Sequence, residues 1–233
     1  AYEIHERLVG SEMCIVYRVI IFGIGGVGSW VAECLIRTGV IHLTLVDSDT
    51  ISLTNVNRQM PATSSTIGEI KTEATKRRLL DINPQADIKT LTLFYGHATA
   101  SQIDLTDYDY VVDAIDSLKD KALLIINATR SGRKIYSSMG AALKMDPQKI
   151  KVAEFWDVKG CPLARALRNK FKKEKIFPSK KFLCVYSEEL LENRGKTNES
   201  CEYKVQVNGS LCHITAIFGM TLAGEIIKDI VSL

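Results

Sequence analysis

The chain is constrained most by one junction. Arg18-Val-Ile-Ile-Phe22 is a short apolar run that stops at a glycine-rich hexapeptide, Gly-Ile-Gly-Gly-Val-Gly at 23–28. An uninterrupted apolar run of this length reads as a strand buried on both faces, as in a parallel sheet. The stretch Val27 to Arg37 then changes to helical spacing, with Val27, Val31, Cys34 and Leu35 on one side. Strand, glycine turn and helix together form a phosphate-binding fingerprint. Gly23 permits the tight turn, Gly25 and Gly26 admit a ligand close to the backbone, and Gly28 lets the helix pack on the strand. The helix start offers free N–H groups and the positive end of its dipole to an anion. The expected fold is therefore α/β, a Rossmann-like doubly wound sheet.

His42-Leu-Thr-Leu-Val46 reads as the second strand, ending at Asp47, 24 positions after Gly23, with Asp49 close behind. An acid at this place can hold both hydroxyls of a ribose. That much suits a dinucleotide and a nucleoside triphosphate equally. The next segment favours the triphosphate. Asn55-Val-Asn57-Arg58-Gln59 is followed by Gly68-Glu-Ile-Lys71. The pyrophosphate of a dinucleotide is largely satisfied by backbone N–H groups, whereas a triphosphate carries more charge, and that charge grows on a leaving pyrophosphate. Arg58 can clamp phosphate oxygens with two prongs, and Lys71 supplies a point charge. Taken alone, each cation also fits an ordinary solvated surface.

Tyr110-Val-Val-Asp113-Ala-Ile-Asp116-Ser117 reads as a further parallel strand ending in carboxylates. Asp116 lies where doubly wound sheets bind ligands, and a carboxylate there suits Mg2+. Asp113, nearer the strand interior, is expected to be structural, as a cap for the helix after Ser117. The rest of the first half continues the alternation. A helix ends at Leu79–Pro84, a strand spans 87–93, a helix 123–131 and a strand 133–137. From about residue 151 the pattern changes to a mixed region, so an elaborated C-terminal half is expected.

The glycine hexapeptide, Asp47, Asn57-Arg58-Gln59, Lys71 and Asp116 resemble, in order and spacing, the family that activates ubiquitin-like proteins and sulfur carriers. Its bacterial members include the molybdopterin- and thiamine-biosynthesis adenylyltransferases. The resemblance implies one ThiF-like adenylating domain over 1–233, with an ATP-binding core at about 18–150 and a substrate region at about 151–233. It implies ATP contacts from Gly23, Gly25, Gly26, Gly28, Asp47, Asn55, Asn57, Arg58, Gln59, Lys71, Asp116 and Ser117. Arg58, Lys71 and Asp116 would carry catalysis, and Asp116 would bind Mg2+.

Within the family, Cys161-Pro-Leu-Ala-Arg-Ala-Leu-Arg168, Val185-Tyr-Ser-Glu-Glu189 and the N-terminal Arg7-Leu-Val-Gly10-Ser-Glu12 resemble the tRNA threonylcarbamoyladenosine dehydratase subfamily. That likeness implies adenylation of the carboxylate of N6-threonylcarbamoyladenosine at position 37 of tRNA, then ring closure with loss of AMP. It further implies a homodimer, with Arg7 lent to the neighbour's phosphates, and a cysteine-desulfurase-linked sulfur acceptor protein as a further partner. An apolar C-terminal helix, costly to expose, adds to the expectation of a dimer. The region Glu192 to Gln206 matches no part of the pattern.

Two features separate this reading from adenylation of a carrier protein's C-terminal Gly-Gly, which the same ATP site would serve. None of the six cysteines, Cys14, Cys34, Cys161, Cys184, Cys201 and Cys212, stands in Cys-x-x-Cys spacing. The paired ligands of the structural zinc usual in sulfur-carrier activators are therefore missing, and no structural zinc is expected. Cys14 and Cys34 read as buried packing residues, and Cys201 as the most exposed. The second feature is charge. The net value is only +3, yet Arg165, Arg168, Lys170, Lys172, Lys173, Lys175, Lys180 and Lys181 face one acid, Glu174, within 165–181. Such a block can neutralise RNA phosphates, although basic runs are more often solvated faces. Phe171, Phe177 and Phe182 lie among these residues, to stack on a base or to pack. No apolar run approaches the ~20 residues of a membrane span. With no signal-peptide pattern, a reducing cytoplasm is the expected location. A third reading, a protein that holds NAD or ATP without chemistry, leaves Arg58, Lys71 and Asp116 unexplained.

Overall fold

A computed structural model describes residues 16–193 and 208–232. Seven strands form one sheet in the order β3-β2-β1-β4-β5-β7-β6. They are β1 (Arg18–Phe22), β2 (His42–Val46), β3 (Asp87–Leu91), β4 (Tyr110–Asp113), β5 (Lys134–Ser138), β6 (Ile150–Glu154) and β7 (Leu183–Ser187). The first five and β7 run parallel, and β6 pairs antiparallel with β7 at the edge. Among the described residues, five α-helices cover the two faces: α1 (Gly28–Arg37), α2 (Lys71–Ile82), α3 (Leu118–Arg130), α4 (Pro162–Glu174) and α5 (Cys212–Val231).

The apolar run of β1 explains why both faces must be covered. Successive strand side chains point to opposite sides. Val19 and Ile21 join the core under α1 and α5, with Val31, Leu35, Phe218, Leu222 and Ile226. Ile20 and Phe22 join a second core under α3 and α4, with Leu124, Ile125, Leu167 and Phe171. All four of these β1 side chains are fully buried. The strand order reverses between β1 and β4, so the loops after them splay apart and leave a crevice at the carboxyl ends of the strands.

Three elements differ from the sequence expectation. β3 stops at Leu91 rather than 93, because the Leu93 N–H closes back on the Leu91 carbonyl at 3.0 Å in a three-residue turn. α3 begins at Leu118, five residues early, because its first turns bury Asp120 and Lys121, charges that mask the apolar pattern. β5 is displaced by one residue. The apolar stripe of α5 is consumed within the chain, with Ile214, Phe218, Leu222, Ile226 and Ile230 all at most 1% exposed. On the same helix Met220 and Val231 remain exposed. No helix among the described residues is long and apolar enough to cross a membrane.

Candidate functional site

The crevice holds a cavity of about 610 Å³, within the size range of small-molecule sites. Its floor is the glycine loop. Gly23 has φ +87°, and a Cβ there would come within 2.7 Å of the Ala114 carbonyl, so β1 and β4 approach more closely than any other residue would permit. Gly28 does not line the cavity. A Cβ on it would sit 1.9 Å from the Gly23 carbonyl, so it lets α1 start directly beneath the loop. The Ser29 hydroxyl donates to the Gly25 carbonyl at 2.6 Å and accepts from the Met60 N–H at 3.3 Å, tying the loop to the segment that carries Asn57-Arg58-Gln59.

Asp47 follows β2 on the cavity wall. Its Oδ2 accepts from the Ile24 N–H at 2.7 Å and its Oδ1 from the Asp49 N–H at 2.9 Å. The carboxylate thus braces the glycine loop through Oδ2 and its own turn through Oδ1, and each oxygen keeps a lone pair for a ligand. Asn55, Arg58, Gln59 and Lys71 line the same cavity. Asn55 is committed partly to its own turn, its Oδ1 accepting from the Ser52 N–H at 3.0 Å. Arg58 donates to the Thr54 carbonyl at 2.9 Å and to Asn57 Oδ1 at 3.0 Å. Gln59 is buried, and its Oε1 finds no donor among the described residues. An unpaired buried polar atom facing a cavity is a position for a ligand donor.

Lys71 begins α2 with its side chain buried, and its Nζ pairs with Asp49 Oδ2 at 2.8 Å. Asp49, also a lining residue, is the principal site residue that sequence reasoning left without a role. Asp116 lies on the opposite wall, exposed to the cavity, with no hydrogen bond or ion pair among the described residues.

Two of the expected ATP contacts point elsewhere. Asn57 is exposed and donates to the Ser210 carbonyl at 3.3 Å, and Ser117 donates to Asp120 Oδ2 at 2.6 Å at the head of α3. Asp113 is not the cap of that helix; Ser117 occupies the cap position. Asp113 and Lys121 instead form an ion pair at 2.8 Å, both side chains fully buried. The Ser137 hydroxyl donates to the same carboxylate at 2.6 Å. Lys121 also donates to the Ile115 carbonyl at 2.8 Å, and Asp113 Oδ1 accepts from the Ile115 N–H at 3.2 Å. The loop that carries Asp116 is therefore pinned from beneath by a buried charge pair.

The remaining walls were not singled out in the sequence. Leu93, Phe94 and Tyr95 swing in after the turn that ends β3, and Ser138, the last residue of β5, leads into Met139 to Ala142. The rule that ligands lie at strand carboxyl ends was the available signal for both segments. Leu163, in the first turn of α4, completes the rim with Ser210 and Thr215.

The basic block lies outside the cavity. Arg165, Lys172, Lys173, Lys175, Lys180 and Lys181 are exposed. Lys170 pairs with Glu174, and Arg168 donates to the Phe155 carbonyl at 3.1 Å. Phe171 and Phe182 pack in the core, whereas Phe177 is half exposed. Cys161 and Cys184 are buried, and burial pushes the Cys184 thiol well up from its ordinary value, away from the reactive thiolate. Cys34 is only partly buried, and Cys212, at the head of α5, is exposed. Arg7, Cys14 and Cys201 lie outside the described residues.

A model of the ThiF family matches residues 13–232. The chain is 36% identical to the tRNA threonylcarbamoyladenosine dehydratase of Haemophilus influenzae, over 96% of this chain and 87% of that one. It is 34% identical to the protein of the same name from Bacillus subtilis, over 97% and 92%. Among solved structures, the E. coli tRNA N6-threonylcarbamoyladenosine dehydratase in complex with ATP superposes with a TM-score of 0.88 at 31% identity, over 99% of this chain and 93% of that one.

Proposed function

Because the chain belongs to the ThiF family, we propose that it is an ATP-dependent dehydratase acting on threonylcarbamoyladenosine in tRNA. The observation that carries this reading is the convergence of Asp47, Arg58, Lys71 and Asp116, from four separate segments, on one cavity above the glycine loop. The names of the relatives, and similarity over most of their length, supply the substrate class.

In this reading ATP lies with its ribose at Asp47 and its phosphates over the glycine loop and the start of α1. Arg58 and Lys71 bind the β- and γ-phosphates and stabilise the charge that grows on the departing pyrophosphate. The substrate carboxylate attacks the α-phosphorus, the bond to the bridging oxygen breaks, and an acyl adenylate forms. The carbamoyl group then attacks the acyl carbon, loses a proton, and expels AMP. The tRNA loses one water overall. The adenylate makes that loss possible because AMP leaves far more readily than hydroxide.

The residues present suit Mg2+. This ion usually takes one or two protein carboxylates and completes its shell with phosphate oxygens and water. Asp116 is such a carboxylate, unpaired and open to the cavity. When bound there, Mg2+ would neutralise charge on the triphosphate.

AMP formation with and without tRNA carrying the modified nucleoside tests the proposal. Turnover should require that tRNA, and the nucleoside recovered should be lighter by one water. Asp116→Asn should lower kcat by about 100-fold or more, as for loss of one positioned electrostatic group, with an unchanged melting temperature. AMP formation driven instead by a small carrier protein would move the substrate to a C-terminal Gly-Gly. Normal turnover by Asp116→Asn would remove the role given to Asp116.

A further inference from the structure

Trp156 and Phe177 stand side by side on the surface, their ring centroids 6.3 Å apart and their planes inclined by 40°. They are 40% and 48% exposed. The pair is mounted on a rigid base. Trp156 meets Phe155 edge-on at 5.1 Å, and Phe155 is stacked on Phe182 at 5.0 Å and touches Phe171 at 5.9 Å. The Arg168 guanidinium closes this base from the side, 5.8 Å from the Phe155 ring.

The chain takes a strained route to bring Phe177 there. Lys175 caps the end of α4 with φ +55°, and the Ile176 N–H returns to the Phe171 carbonyl at 3.2 Å. A left-handed residue that is not glycine costs about 1 kcal/mol. The turn it makes folds 176–177 back toward Trp156 while leaving the Lys175 cation at the surface.

The surroundings are basic. Residues 154–181 hold nine Lys and Arg against three acids, Glu154, Asp157 and Glu174. Glu174 is already taken by Lys170. Lys172, Lys173 and Lys175 are exposed and pair with no carboxylate among the described residues. Flat π-faces flanked by unpaired cations suit an unpaired nucleotide, which offers a ring to stack and a phosphate to neutralise. A membrane surface would call for a broader apolar face than two rings and the neighbouring Ile176 provide.

The position of the pair relative to the cavity adds a second argument. Leu163, in the first turn of α4, lines the cavity. The 13 residues of α4 rise by about 20 Å, from the cavity rim to the aromatic pair. A polynucleotide with one nucleoside in the cavity reaches the pair by running along this helix.

We infer that Trp156 and Phe177 form a stacking platform for an unpaired nucleotide of the RNA substrate, with Lys172, Lys173 and Lys175 holding its backbone. The inference rests on the tRNA reading above and adds to it the surface that receives the RNA beyond the modified nucleoside.

Binding of labelled tRNA and steady-state KM values for tRNA and ATP test it, in wild type, Trp156→Ala/Phe177→Ala, Trp156→Tyr and Lys172→Gln/Lys173→Gln/Lys175→Gln. The double alanine variant should bind tRNA about tenfold more weakly, the scale of one base left unstacked. Its KM for tRNA should rise in proportion and its KM for ATP should stay unchanged. Trp156→Tyr, which keeps a ring, should retain most of the wild-type affinity. The triple glutamine variant should reduce the dependence of log Kd on log salt by about 2, roughly 0.7 for each phosphate of a single strand no longer neutralised. The aromatic variants should leave that dependence alone. If the wild type turns over modified tRNA and neither multiple variant changes its KM, the platform is refuted and the substrate reading stands. If the wild type forms no AMP with any tRNA, both fall. Trp156-dependent binding to phosphatidylserine vesicles without RNA binding would assign the surface to a membrane and overturn the inference.

Discussion

Lys121→Met isolates the part of the site that owes most to burial. Lys121 and Asp113 are each fully buried and 2.8 Å apart. Methionine fills nearly the same volume, so no large cavity is left, but it removes the cation and leaves the Asp113 carboxylate in the core with the Ser137 hydroxyl and one N–H for company. Breaking a buried pair from one side costs about 3–5 kcal/mol. With ~2.1 cal/mol/K of unfolding entropy per residue over a chain of this length, a loss of about 4 kcal/mol lowers Tm by about 8 °C. Urea unfolding followed by circular dichroism measures the loss directly. Asp113→Asn/Lys121→Met removes both charges and should recover most of it, leaving a deficit of about 1 kcal/mol, because a buried pair can be replaced by neutral groups at little net cost. The loop carrying Asp116 also loses the bond from Lys121 to the Ile115 carbonyl, so the Mg2+ concentration for half-maximal turnover should rise in the single variant. A loss below about 1 kcal/mol in Lys121→Met would refute this reasoning. So would a double variant as unstable as the sum of its single variants, which would show that the two charges do not act as a pair.

Two further outcomes follow from the same geometry. Asp49→Asn releases Lys71 from its carboxylate partner; because Asp49 is 65% exposed, the cost to stability should be under about 1 kcal/mol. The rise in Tm on adding ATP should increase, since the phosphates no longer compete with Asp49 for the ammonium, and a smaller rise in a thermal-shift assay would contradict this. Burial pushes the phenols of Tyr95, Tyr110 and Tyr136 up, Tyr136 to about 12, and Asp229 adds to the effect at Tyr110 and Tyr136. The folded state then keeps protons that the unfolded chain releases near pH 10, so stability present below pH 10 is lost as pH rises toward 12. In a spectrophotometric titration these tyrosines should ionise only together with unfolding, and a smooth titration of all eight near pH 10 in the folded protein would show the opposite.

What could be read from the sequence was whatever depends on local periodicity or on a motif held within one loop. β1 and β2 were readable to the residue because an apolar run buried on both faces leaves an uninterrupted pattern. The glycine loop was readable because its geometry is local: Gly28 meets Gly23 only five residues away. The features that escaped depend on partners distant in the chain. Lys121 is 0% exposed, yet a lysine in a sequence announces surface, and only the Asp113 carboxylate eight residues earlier makes its burial tolerable. That hidden charge also concealed the first turns of α3. Asp49 resembled any loop carboxylate until the fold brought Lys71, 22 residues on, to 2.8 Å. Trp156 and Phe177 lie 21 positions apart, and they meet because Lys175 adopts a left-handed conformation that no propensity would assign to lysine. Phe171 and Phe182 share the same stretch and the same composition, yet both are buried. Which ring of a basic, aromatic segment faces outward is thus decided by the end of α4 and the core beneath it. A stacking surface of this kind becomes legible only once the fold has sorted its aromatic residues into those that pack and those that do not.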